Sequence, residues 1–160
     1  MPRLLVVHHS PTPATRDLTE RVVAGTHDEA IDGVEVEVAE ALTVDLASVE
    51  AADGFLLGTS ANFGYMSGAL KHFFDRHFLA MGGALADDGS GAAVAGGRKP
   101  FGLWVHGRYD TTGAVRSVQS IVQALPWRQS AEVLEVMGDV DDEHEAAAYE
   151  LGGTLAALLS

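Results

Sequence analysis

The chain contains no cysteine. Disulfides, thiolate nucleophiles and cysteine-ligated metal or iron–sulfur centres are therefore excluded, and any redox chemistry has to come from a bound cofactor. Positive charge is scarce as well: 10 Lys and Arg stand against 23 Asp and Glu, for a formal net charge of −13. Such a field repels nucleic acid and anionic membranes, which excludes DNA and RNA as ligands, and favours basic partners or plain solubility. No apolar stretch approaches the roughly 18–20 residues that cross a bilayer. Met1-Pro2-Arg3 leads straight into strand-like residues with no signal-peptide layout, so a cytoplasmic location is the expectation. GxGxxG, GxxxxGK[ST] and GxSxG are also missing, which leaves a dinucleotide turn, a P-loop and a nucleophile elbow without support.

The 160 residues suffice for one core, and a single domain over 1–160 is expected. Short apolar runs over Arg3–His8, Phe55–Gly58 and Pro100–Val105 predict strands buried on both faces, and Ala131–Met137 predicts a last strand. Val34, Val36 and Val38 alternate with Glu35, Glu37 and Ala39, the period of a strand near a sheet edge. Between these runs the spacing predicts helices over 15–31, with Leu18, Val22 and Gly25 on the inner face, over 45–52, after the N-cap Ser67, after Gly113, and over 141–159. Phe73, Phe74 and Phe78 have core spacing. Residues 80–99, rich in Gly and Ala without periodicity, are expected to form a mobile connection or a lid. Strands alternating with helices predict an α/β fold, a parallel sheet with helices on both faces.

The chemistry concentrates at strand-to-helix junctions. His9-Ser10-Pro11-Thr12-Pro13-Ala14-Thr15-Arg16 gathers hydroxyls and amides where a helix start presents unpaired N–H groups, the makings of a phosphate seat. The second junction, a loop over 59–64, and the third, His106-Gly107-Arg108-Tyr109-Asp110-Thr111-Thr112-Gly113, are rich in small polar and aromatic residues. With strand order 2-1-3-4-5 the three junctions share one rim, where open α/β sheets bind ligands. Seven histidines do not compose a metal site: His8 and His9 face opposite ways on a strand, and His72 and His77 are five apart on a helix. His106, at a strand end, either orients a loop through a hydrogen bond or donates a proton. A phosphoacceptor receiver domain needs acids where this chain has His8 and His9.

Ser10-x-Thr12-x-x-Thr15 resembles the FMN phosphate loop S/T-x-T-G-x-T of the flavodoxin-like family. Gly58-Thr59-Ser60-Ala61-Asn62-Phe63-Gly64-Tyr65-Met66-Ser67-Gly68-Ala69-Leu70-Lys71, followed by Phe74-Asp75-Arg76, resembles the G-T-P-x-Y-F-G-x-M-S-G-x-L-K-x-F-x-D-R segment of its short NAD(P)H-dependent FMN oxidoreductases and quinone reductases. The resemblance implies a flavodoxin-like three-layer sandwich with a five-stranded parallel sheet, FMN as cofactor, and electron transfer from NAD(P)H to a quinone, a free flavin or a similar flat acceptor. It implies that Ser10, Thr12, Ala14 and Thr15 hold the phosphate, and the charge of Arg16 adds to the donors at this helix start. Ser60, Asn62, Phe63, Gly64 and Tyr65 would line the isoalloxazine, with His106, Gly107, Arg108 and Tyr109 at its other edge and Tyr109 or His106 as proton donor. It also implies dimers or tetramers. Pro13 replaces the family's Gly and Pro11 removes a second N–H, which predicts weaker FMN affinity; Ser60 and Asn62 replace its Pro and Tyr. Two alternatives stand beside the enzyme: an electron-shuttle flavodoxin docking on a basic redox partner, and an accessory protein that has lost FMN.

Overall fold

A computed structural model describes residues 1–92 and 98–160. In chain order the elements are β1 (Arg3–His8), α1 (Pro13–Thr26), β2 (Glu35–Glu40), α2 (Leu46–Ala51), β3 (Gly54–Asn62), β4 (Tyr65–Met66), α3 (Gly68–His77), β5 (Lys99–Gly107), α4 (Thr112–Val122), β6 (Trp127–Gln129), β7 (Leu134–Met137) and α5 (Asp142–Leu159). The parallel sheet runs β2-β1-β3-β5, and its fifth position is shared by β6 and β7, which pair with the first and second halves of β5 respectively. The expected order and fold class are found. The last strand is not continuous over 131–137 as the sequence suggests: Trp127 is drawn into the core by stacking on Phe55, with ring centroids 4.1 Å apart, and pairing lapses until Leu134.

The central strands are apolar on both faces because both are covered. Leu5, Val7, Phe55, Leu57, Phe101, Leu103 and Val105 pack toward Val49, Leu70, Phe73, Ala114 and Val118 of α2, α3 and α4. Leu4, Val6, Leu56, Trp104 and Val136 pack toward Leu18 and Val22 of α1 and Leu151 and Leu155 of α5. That is the three-layer arrangement. β2 is an edge strand as expected, and its glutamates and Val38 are exposed.

Helix ends follow local chemistry. Asp45, Ser67 and Asp141 cap α2, α3 and α5 by accepting the amides of Ser48, Leu70 and His144. Helix α1 ends at Thr26, short of residue 31, because the Asp28 carboxylate accepts the Ala30 amide at 2.9 Å and the Tyr149 hydroxyl at 2.6 Å, and this fixes a turn. On the inner face, a side chain at Gly25 would meet the Tyr149 carbonyl and one at Gly152 the Val22 carbonyl, so glycine lets α1 and α5 touch backbone to backbone.

The expected lid falls partly outside the described residues, at 93–97. Its described part overturns the expectation: Ala84 donates to the Ala124 carbonyl, Leu85 bridges Gly91, and Lys99 donates to Pro126, all at the sheet's amino end. Residues 84–92 therefore sit at the end of the molecule away from the three junctions. No helix among the described residues is long and apolar enough to cross a membrane.

Candidate functional site

The carboxyl rim is formed by the ends of β1, β3, β5 and β7. At its first junction α1 begins two residues earlier than expected, at Pro13, with Thr12 as N-cap. Proline suits this first helical position, where no N–H is needed and φ is already helical. Thr12 and Thr15 form a reciprocal capping box: the Thr15 amide donates to Thr12 Oγ1 at 3.2 Å, and the Thr12 amide to Thr15 Oγ1 at 3.0 Å. Thr15 is buried, and its hydroxyl lies 3.0 Å from the Thr12 carbonyl and 2.9 Å from Thr12 Oγ1. Thr12 and Arg16 are exposed and Ala14 is half-buried. The Ala14 amide, at the second helical position, has no intrahelical acceptor within reach. Thr12 and Ala14 therefore face the solvent side of the helix mouth, whereas the Thr15 hydroxyl is committed inward.

Ser10 is also engaged. Its Oγ lies 2.8 Å from His8 Nδ1 and 2.7 Å from Thr19 Oγ1. Thr19, a polar residue on the inner face of α1, is the member of this group that sequence reasoning missed; its spacing of four from Thr15 is the signal that marks it. Burial holds the His8 imidazole below its ordinary value, with Glu40 opposing and His9 reinforcing that shift.

The second junction is not the loop over 59–64 that its polarity suggests. β3 continues to Asn62, turns at Phe63-Gly64 and returns as β4, with Ala61 opposite Met66 and Asn62 opposite Tyr65. Both turn residues have positive φ, 52° at Phe63 and 74° at Gly64, the signature of a two-residue type I′ hairpin. Thr59 anchors the base, accepting the Ser67 amide at 3.0 Å, while Ser67 caps α3. Phe63 is 97% exposed, on a backbone conformation that costs a bulky side chain strain, so local folding preference does not account for it. Asn62 and Tyr65 are exposed with it.

The third junction folds against the hairpin. Its His106 and Gly107 belong to β5, and only 108–111 form the loop. A side chain at Gly107 would meet Ala61 and Thr111, and one at Gly113 would meet the Gly64 carbonyl. The second and third junctions therefore close on one another. Tyr109 is 74% exposed. Arg108 reaches Asp139 at 3.2 Å in an exposed pair, which is worth little for stability. His106 is buried and donates from Nε2 to the Gly138 carbonyl at 2.7 Å, tying β5 to the β7–α5 turn. Opposite His106 in register, Ser60 carries a buried Oγ with no hydrogen-bond partner among the described residues.

All the sequence-derived site residues thus lie at one rim, though not on one surface. Thr12, Arg16, Asn62, Phe63, Tyr65, Arg108 and Tyr109 are exposed, Ser10, Ala14 and Gly64 are half-buried, and Thr15, Ser60, His106 and Gly107 are inside. Two hollows among the described residues lie away from this rim. One of about 630 Å³ runs between β7 and α5, and one of about 450 Å³ between α3 and α4.

No family model matches the sequence, and no curated protein does. Solved structures do match. A flavodoxin from the domain Archaea superposes with a TM-score of 0.79 at 16% identity, covering 98% of each chain. A flavodoxin from Streptococcus pneumoniae TIGR4 gives 0.71 at 21% identity, over 98% of this chain and 99% of that one. A flavodoxin, WrbA-like protein from Agrobacterium tumefaciens gives 0.70 at 14%, over 99% and 98%. The chain has the flavodoxin fold.

Proposed function

We propose that this protein binds FMN at the carboxyl rim and works as a flavin-dependent redox protein, taking electrons from NAD(P)H and passing them to a quinone, a free flavin or another flat acceptor. The observation that carries the reading is the placement, along one carboxyl rim of the sheet, of a helix mouth with an open amide and hydroxyl and of two exposed aromatics, Phe63 and Tyr109. The donor set fits a phosphate monoester. Thr12 offers a hydroxyl, Ala14 an amide and Arg16 a full charge at the positive end of a 14-residue helix. Pro11 and Pro13 remove two amides, so the seat rests on the Thr12 hydroxyl, the Ala14 amide and the Arg16 charge. The unpartnered Ser60 Oγ is a polar atom that a polyhydroxylated ligand chain satisfies.

When bound, FMN supplies hydride acceptance and single-electron transfer, chemistry that no side chain here provides. The protein's share is placement. Thr12, Ala14 and Arg16 fix the phosphate end, and the backbone of Phe63 and Gly64, held rigid by the hairpin and by contact with Gly113, fixes the ring end. Phe63 and Tyr109, both exposed at this rim, would shield a bound flavin from water, and the Tyr109 hydroxyl would be placed to give a proton to a reduced acceptor. His106, turned to the Gly138 carbonyl, holds the loop in which Tyr109 stands.

Purified protein titrated with FMN should quench flavin fluorescence with saturation at or below tens of micromolar, the range of a weak site. The loaded protein should oxidise NADH or NADPH when a quinone is present. FMN binding without turnover favours the second reading, an electron shuttle. That reading has its own support in the net charge of −13 and in Asp139, Asp141, Asp142 and Glu143 beside the rim, which steer a basic redox partner. Absence of FMN binding leaves an accessory protein that has lost the cofactor.

A further inference from the structure

We propose that His8 is a positioning residue that decides where the Ser10 hydroxyl points, and so makes the grip on the FMN phosphate proton-linked; this rests on the FMN reading above. His8 ends β1 on the face covered by α1, and His8 Nδ1, Ser10 Oγ and Thr19 Oγ1 form an unbranched chain with links of 2.8 and 2.7 Å. Ser10 is half-buried and stands two residues before the helix cap, so its oxygen has one inner and one outer side.

A hydroxyl has one proton to give. When His8 Nδ1 is a bare lone pair, Ser10 must donate inward to it and accept from Thr19, and it presents only a lone pair to an incoming anion. When Nδ1 carries a proton, His8 donates to Ser10 and the Ser10 proton is released toward a phosphate oxygen. Protonation of the imidazole enforces that second arrangement and places a positive charge one hydrogen bond behind the anion.

The groups acting on the His8 charge are few. Glu40 on β2 favours the protonated form and His9 on its own strand end disfavours it, whereas β3 brings Gly58 and α1 brings Thr19, both uncharged; α5 contributes no charge. Without the anion, burial holds His8 below its ordinary 6.5. A bound dianion raises it. Binding therefore takes up a proton in the interval between the free and bound values, and affinity falls as pH rises through the bound value.

The test compares FMN affinity of the wild type with that of His8→Asn from pH 5.5 to 8 by flavin fluorescence. The Asn amide stands in for a permanently protonated Nδ1, and the ratio of the two affinities cancels the phosphate's own ionisation. The ratio should be about tenfold greater at pH 5.5 than at pH 8, the equivalent of one pH unit of coupling. Calorimetry in buffers of different ionisation heat should show more proton uptake on binding FMN in the wild type than in His8→Asn, the phosphate's own proton release being common to both, and no difference on binding riboflavin. Should the variant not fold, NMR titration of His8 in the wild type decides, with an upward move expected on adding FMN and none on adding riboflavin. A pH-independent ratio with an unmoved His8, while FMN still binds, overturns this inference alone. FMN binding at no pH overturns the FMN reading and this inference with it.

Discussion

Thr12 has two duties that one substitution can pull apart. It caps α1 by accepting the Thr15 amide at 3.2 Å, and it is the exposed hydroxyl at the helix mouth. Thr12→Ala removes both, so a loss of FMN binding in that variant would be ambiguous. Aspartate is as good an N-cap as threonine or better, and its charge is favourable at a helix N-terminus by about 0.3–1 kcal/mol. Thr12→Asp should therefore leave thermal stability unchanged or raised. Thr12→Ala should cost about 1 kcal/mol, or about 2–4 °C in Tm for a chain of this length.

Binding should move the opposite way. A hydrogen bond to a charged group is worth about 1.5–3 kcal/mol, and a carboxylate about 4 Å from a phosphate dianion adds about 2 kcal/mol of repulsion at the dielectric of water. The combined loss of about 3.5–5 kcal/mol weakens the FMN Kd by about 300- to 4000-fold. Circular-dichroism melts of the apoprotein and fluorescence titration with FMN read the two effects separately. A Thr12→Asp variant that melts as low as Thr12→Ala would deny the cap, and one that binds FMN like wild type would move the phosphate elsewhere.

Three further outcomes follow from particular contacts. Phe63→Asn should stabilise the hairpin by about 1 kcal/mol, because Asn tolerates positive φ, while weakening FMN binding; melts and titration together check both halves. Gly152→Ala should destabilise by about 1–3 kcal/mol despite the better helix propensity of Ala, since the added carbon runs into the Val22 carbonyl, and urea unfolding measures it. Tyr149→Phe removes the donor that, ahead of the Ala30 amide, holds the Asp28 carboxyl below its ordinary 3.8. A depressed carboxylate stabilises above its unfolded value, so the stability gap between wild type and variant should be full near neutrality and should close as pH falls through the folded value.

The frame of the fold is legible where burial on both faces leaves no choice of residue. Leu4–Val7, Phe55–Leu57 and Phe101–Val105 are uninterrupted apolar runs because helices cover both their faces, and a strand of that kind reads directly from sequence. Legibility fails where a polar residue is satisfied by a distant partner. Thr59 and Ser60 look like loop residues, yet the Thr59 hydroxyl is used by Ser67 eight positions away, and β3 runs on to Asn62. Phe63-Gly64 is hidden for another reason. A hairpin with two positive φ values calls for Asn-Gly or Asp-Gly, and phenylalanine in the first place goes against the rule from which the turn would be read. The broken fifth strand depends on the Trp127 ring finding Phe55, a contact across more than seventy residues that no local pattern announces.

The candidate site has a deeper ambiguity, because a serine or threonine at spacings of two and three before and within a helix start is the pattern of a cap as much as of a phosphate loop. Geometry divides the hydroxyls. Thr15 is buried with its oxygen turned to Thr12, Thr12 remains open to solvent, and Ser10 stands between, shared with His8 and Thr19. One pattern in the sequence thus becomes three environments, with a structural hydroxyl, a solvent-facing hydroxyl to which we assign the phosphate, and one whose direction we tie to where a neighbouring imidazole carries its proton. Only the first is fixed by the backbone alone. The second requires an anion to reveal it, and the third requires both an anion and a change of pH, which is why measurements of affinity against pH reach further into this site than loss of activity does.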